Sequence, residues 1–90
     1  MKIIYNSIIP LRGFTAINLC GTVFARKEYR PLSARVLRHE ACHTIQMQRD
    51  GILYFYTRYL LEYLYNLFRY RNPRTAYRTI SYEREAYAQQ

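Results

Sequence analysis

The chain is poor in acidic residues, has no tryptophan and carries only two cysteines. Six Asp and Glu stand against 14 Lys and Arg in 90 residues, a formal net charge of +8 with an isoelectric point near 9.8. The surplus suits anionic partners, whether phosphate backbones or acidic lipid surfaces, and charge alone does not choose between them. Cys20 and Cys42 form no C-x-x-C pattern and make no disulfide framework, which argues against a stapled secreted scaffold and for a reducing, cytoplasmic setting. Three glycines and three prolines leave no linker, repeat or low-complexity run, so residues 1–90 read as a single domain. The most apolar stretch, Ile52 to Phe68, is broken by Arg58 and Glu62 and falls short of the roughly 20 apolar residues of a membrane span. The apolar start after Lys2 is interrupted by Asn6, Pro10 and Arg12 with no small-residue cleavage site beyond, so no signal peptide is expected.

What is present can build a small core. Half of the residues are apolar and 17% are aromatic, which excludes a disordered chain. Ile, Val, Thr, Phe and Leu dominate residues 2–28, punctuated by Pro10, Gly13 and Gly21; this composition predicts one strand over Lys2 to Ile9 and another over Ala16 to Lys27, bent or bulged at Gly21, paired as an antiparallel ribbon. Apolar residues at Leu32, Val36, Leu37, Ala41, Ile45 and Met47 predict a helix from Leu32 to Arg49, stopped by Asp50-Gly51. Leu53, Tyr56, Leu60, Leu64 and Leu67 predict a second over Ile52 to Tyr70, ended by Asn72-Pro73. Ser81 is the expected N-cap of a third that runs to the end, although Arg84 occupies the place of the usual acidic capping-box partner. The fold class is α+β: a small antiparallel β-ribbon or sheet packed on two or three helices.

The first predicted helix contains His39-Glu40-Ala41-Cys42-His43, the pattern His-Glu-x-x-His, and uses both histidines of the chain. Residues four apart stand one above the other on a helix face, so both imidazoles can point at one tetrahedral zinc while Glu40 reaches a zinc-activated water as general base. A catalytic zinc takes a third protein ligand, and the carboxylates after Gly51 are Glu62, Glu83 and Glu85. Glu62 lies mid-way along an apolar helix; Glu83 and Glu85, two positions apart, project in different directions, so one of them at most reaches the metal.

These residues resemble a family. A His-Glu-x-x-His helix followed by a Glu-x-x-Ala helix is similar to the gluzincin class of zinc metallopeptidases, and the size and layout resemble its single-domain members, the minigluzincins. The segments Gly13-Phe14-Thr15-Ala16-Ile17-Asn18 and Tyr82-Glu83-Arg84-Glu85-Ala86-Tyr87 also resemble a group of small bacterial His-Glu-x-x-His proteins whose function is inferred. The resemblance implies a zincin-like minimal fold and hydrolysis of peptide bonds in a peptide or protein substrate. It implies Zn2+ held by His39, His43 and Glu83. Where the family has an Asp that orients a ligand histidine, this chain has Tyr87. The family stabilises the oxyanion with a Tyr or His; Tyr77 is the expected residue here, with Tyr87 behind it. It also pairs an extended substrate with an edge strand, a role that would fall to Leu19 to Arg26.

Other readings of the same residues stand beside these. The histidines can be a buried hydrogen-bonded pair, Glu83 an exposed helix-start carboxylate, and Cys42 a packed thiol. The tyrosines of residues 54–70 with Arg58, Arg69 and Arg71 read mainly as core and interface, with weak association at an anionic membrane surface as a further expectation. No recognition motif accompanies the charge, so specific nucleic-acid binding is not expected. In place of an enzyme, the chain can be a basic binding module with structural zinc, or a latent relic of a protease domain.

Overall fold

The computed structural model describes residues 2–90 as a three-stranded mixed sheet and four α-helices. Strands β1 (Lys2–Asn6), β2 (Ala16–Leu19) and β3 (Thr22–Arg26) precede a 3-10 turn at Lys27–Tyr29 and the helices α1 (Ala34–Asp50), α2 (Ile52–Tyr70), α3 (Pro73–Arg78) and α4 (Ser81–Gln89). The α+β class follows the sequence, but the strand arrangement differs from the ribbon expected. Residues 16–27 are not one bent strand. They fold back as a hairpin at Cys20 and Gly21, whose φ values of 53° and 92° supply the two positive angles that a two-residue turn needs. With one edge of β3 taken by β2, β1 pairs along the other edge in parallel register, Ile3 opposite Val23 and Tyr5 opposite Ala25. β3 is therefore the central strand.

Two apolar clusters hold the layers together. Val23, Ala25 and Leu32 are buried with Ile3, Tyr5, Val36 and Leu37 against them, joining the sheet to the start of α1. Met47, Phe55, Ile80 and Tyr82 form the second cluster, with Tyr56, Tyr59, Tyr63 and Tyr77 around it, and join α1, α2 and α4. The tyrosines at 56, 59 and 63 thus serve largely as core, and the hydroxyls of Tyr56 and Tyr59 reach polar partners as amphipathic rings do.

The helix boundaries follow local chemistry. Ser33 caps α1 by accepting from the Val36 N–H at 3.2 Å. Gly51, at φ 91°, closes it by donating to the Met47 carbonyl at 2.8 Å. α2 ends at Arg71 in the left-handed region, and Asn72 then caps α3, accepting from Arg74 and Thr75 with Pro73 in the first turn. This short third helix was not expected from the sequence. Ser81 is not the N-cap of α4 either: it is that helix's first residue, and the capping carboxylate comes from α2. Glu62 accepts from the Ser81 N–H and from its hydroxyl, both at 2.8 Å, and is steadied by Arg58 Nε at 2.7 Å. A cap reaching across from another helix explains why Arg84 can stand where a local acidic partner would.

This cap makes a prediction. Burial works to raise the Glu62 pKa, but the Ser81 N–H and Arg58 outweigh it and hold the carboxyl below its ordinary value of 4.5. A pKa lower in the folded than in the unfolded chain stabilises the fold above that ordinary value, and the contribution is lost as pH falls through the folded one. Glu62→Gln should lower stability by about 1 kcal/mol at neutral pH, the scale of a lost cap, with the deficit shrinking in acid. Urea unfolding of both proteins at neutral and acidic pH measures it.

Candidate metal centre

α1 buries His39, Glu40 and His43 on one face, and α4 buries Glu83 against them. The Glu83 carboxylate lies 2.9 Å from His39 Nε2 through Oε1 and 3.1 Å from His43 Nε2 through Oε2. One ligand atom from each of the three residues falls within 4.8 Å of the others. This arrangement could hold a metal ion, since two imidazoles and a carboxylate are a donor set that first-row divalent ions accept. Of the three carboxylates left open by the sequence, only Glu83 joins the group. Glu62 is the cap of α4, and Glu85 turns to Gln46 at 2.6 Å and Arg49 at 3.2 Å. Cys42 is a free, half-buried thiol outside the group.

Electrostatics keep the cluster tightly paired. Burial alone would raise the Glu83 pKa, but hydrogen bonds from His39 and His43 outweigh it and hold the carboxyl well below the usual range. For His43, burial opposes the charged form, and the Glu83 carboxylate outweighs it, so its pKa is raised. Tyr59 donates its hydroxyl to Glu83 Oε2 at 2.5 Å, a contact the sequence reading missed. Its signal was available: Tyr59 lies one turn after the buried Phe55 on the inward face of α2.

The histidines are oriented from behind by amides. Gln46 Nε2 donates to the Tyr82 carbonyl at 3.0 Å and to Glu85 Oε1 at 2.6 Å, so its Oε1 is the atom that meets His43 Nδ1 at 2.9 Å. Gln46 Oε1 thus accepts from His43 Nδ1, while Nε2 donates to Glu83 in the paired cluster and would give up that proton to bind an ion. The Gln90 amide nitrogen sits 2.9 Å from His39 Nδ1 and its oxygen accepts from Arg35 Nε. Ligation through His39 Nε2 requires the proton on Nδ1, and hence the Gln90 amide turned to present its oxygen. The Tyr87 ring, at the position where the resembled family has Asp, packs edge-on to His39 with centroids 4.5 Å apart. Glu85 and Gln46 together thus do for His43 what a single carboxylate does elsewhere. Gln46→Leu should weaken metal binding about 10- to 100-fold while leaving the three ligands in place, as measured by competition with a chromophoric chelator.

Glu40 stands apart from this pairing. Its side chain is buried in the same cleft, and among the described residues its Oε2 has no hydrogen-bond partner. Burial raises its pKa, against the lowering influence of His43 and His39. An unpartnered buried carboxylate oxygen beside a candidate metal site is a proton acceptor without a proton donor. Its backbone carbonyl accepts from Asn18 Nδ2 at 2.9 Å, tying β2 to the centre of α1. Tyr77 also lines the cleft; burial, with Glu83 and Tyr87 nearby, pushes its hydroxyl pKa up.

The segment expected to offer a free edge to an extended chain does not do so along most of its length. Within Leu19 to Arg26, Thr22–Arg26 is not an edge, because it is hydrogen-bonded on both sides. The free edge beside the cleft belongs to β2. On it the Asn18 carbonyl is already taken by the Tyr56 hydroxyl at 3.0 Å; by the alternation of an antiparallel ladder, the main-chain groups of Ala16 face the same way. Ile8, Ile9, Leu11, Phe14 and Ile17 make the cleft wall apolar above the polar floor, and the volume is about 950 Å3.

The fold and site define a small α+β protein with a buried His-His-Glu group able to hold a metal ion. No family model, no curated protein and no solved structure matches the chain. Among the described residues no helix is long and apolar enough to cross a membrane.

Proposed function

We propose that this chain is a gluzincin-type zinc metallopeptidase, which hydrolyses peptide bonds of an extended peptide or unfolded protein. The observation that carries the reading is the juxtaposition of the three-residue group with the unpartnered oxygen of Glu40 in one open cleft. His39, His43 and Glu83 would hold the ion, and three protein ligands leave a coordination position free, as catalytic zinc sites do and closed structural sites do not. When bound, zinc supplies Lewis acidity toward water and the scissile carbonyl.

Glu40 accepts the proton of the attacking water and passes it to the leaving amine, a role suited to a carboxylate whose pKa burial has raised. Tyr77, with a hydroxyl that stays protonated, donates to the oxyanion. The free edge of β2 pairs with the substrate main chain, and the apolar wall favours apolar side chains flanking the cleaved bond. The second reading, a basic module that keeps zinc structurally or as a relic, draws on the net charge of +8. Zinc-loaded protein incubated with an unfolded protein substrate separates the two: chelator-sensitive cleavage supports the peptidase, and one bound zinc without cleavage supports the module.

A further inference from the structure

α2 is apolar on the side that faces away from the protein. At 100° per residue, Leu53, Leu60, Leu61, Leu64 and Phe68 fall within an arc of about 100° opposite the buried Phe55 and Asn66. Their exposures are 82%, 56%, 61%, 51% and 78%, so the outward stripe of this 19-residue helix is larger than scattered surface leucines produce. Tyr54 and Tyr65 extend it and are likewise exposed.

The charge around the stripe has one sign. α2 has a single carboxylate, Glu62, and it is engaged by Arg58 and Ser81. The other five acidic residues lie in the metal centre or pair with Arg26 and Arg49. Arg69, Arg71 and Arg74, at the end of α2 and the start of α3, are exposed and meet no carboxylate among the described residues. A second copy of the chain would bring the same +8 against itself. An apolar surface that is also anionic satisfies the leucines and the arginines together.

We propose that the outward face of α2 docks on an anionic lipid bilayer, lying in the interface with Leu53, Leu60, Leu64 and Phe68 among the acyl chains and Arg69, Arg71 and Arg74 against the headgroups. The proposal is independent of the peptidase reading, because none of these residues lines the metal cleft. It gives such a site an address at the membrane surface without a membrane span.

Co-sedimentation of the full chain with vesicles of phosphatidylcholine, and of phosphatidylcholine mixed with phosphatidylglycerol, tests it. Binding to the mixed vesicles alone is expected, weakening as salt is raised. Each substitution Arg69→Gln, Arg71→Gln or Arg74→Gln should reduce partitioning about fivefold. Leu60→Gln with Leu64→Gln should abolish it with the circular dichroism spectrum and metal content unchanged, since both side chains are already in solvent. No binding at low salt, equal binding to both vesicle types, or a dimer in sedimentation that Leu60→Gln and Leu64→Gln convert to monomer would overturn the proposal.

Discussion

Glu40→Gln is expected to bind one zinc per chain with wild-type affinity and to lose about 10²- to 10⁴-fold in the rate of peptide hydrolysis, the usual cost of removing a general base. The expectation rests on two observations. Glu40 lies outside the group formed by His39, His43 and Glu83, so its removal takes away no ligand. Its Oε2 has no partner among the described residues, so the amide breaks no hydrogen bond and adds no void. The substitution should in fact be neutral or mildly stabilising, because a buried carboxylate without a partner costs free energy that a neutral amide avoids. Full activity in Glu40→Gln would reject the mechanism. Stoichiometric zinc with no hydrolysis by the wild-type chain would leave the module as the reading.

The second large effect is loss of the ion itself. His43→Ala and Glu83→Ala should each purify with little or no zinc by elemental analysis, where the wild-type chain is expected to carry one, because two remaining ligands do not hold a first-row ion tightly. Glu83→Ala also removes the partner of Tyr59 and of both imidazoles, so circular dichroism must show the variant folded; Glu83→Gln, which keeps an acceptor for Tyr59, serves as the second test. Acid should mimic these variants. His43 has a raised pKa in the ion-free protein, and ligation requires Nε2 without a proton, so affinity should fall as pH drops toward and through that value. Wild-type protein free of zinc after purification without chelators would count against the whole site.

How much of this was legible in the order of residues differs from element to element. The pairing of His39 and His43 was readable because one regular helix fixes their i, i+4 relation whatever surrounds it. The range of α2, Ile52 to Tyr70, was readable because Gly51 and Asn72-Pro73 bound an unbroken apolar period. Glu83 needed a resemblance to be chosen over Glu62 and Glu85, and the fold shows why: both alternatives are engaged, one as a cap and one behind Gln46.

Tertiary structure decided the rest. The antiparallel pairing expected of the first strand gave way to a parallel one because strand composition says nothing about which edge a strand will find, and the hairpin at Cys20 and Gly21 left β1 only the far side of β3. That one choice moved the free edge beside the cleft from Leu19 to Arg26 onto Ala16–Leu19. Gln90 was invisible as part of a site because it meets His39 across a long gap in sequence, and Gln46, a turn from His43, because Tyr82 and Glu85 set its orientation; Tyr59 could be placed on the inward face of α2, but only packing brings Glu83 to it. Local periodicity determined α1, α2 and the pairing of His39 with His43 on one face; the approach of Glu83 and the orientation of His43 through Gln46 exist only because α4 packs on α1, where burial gives each hydrogen bond its consequence.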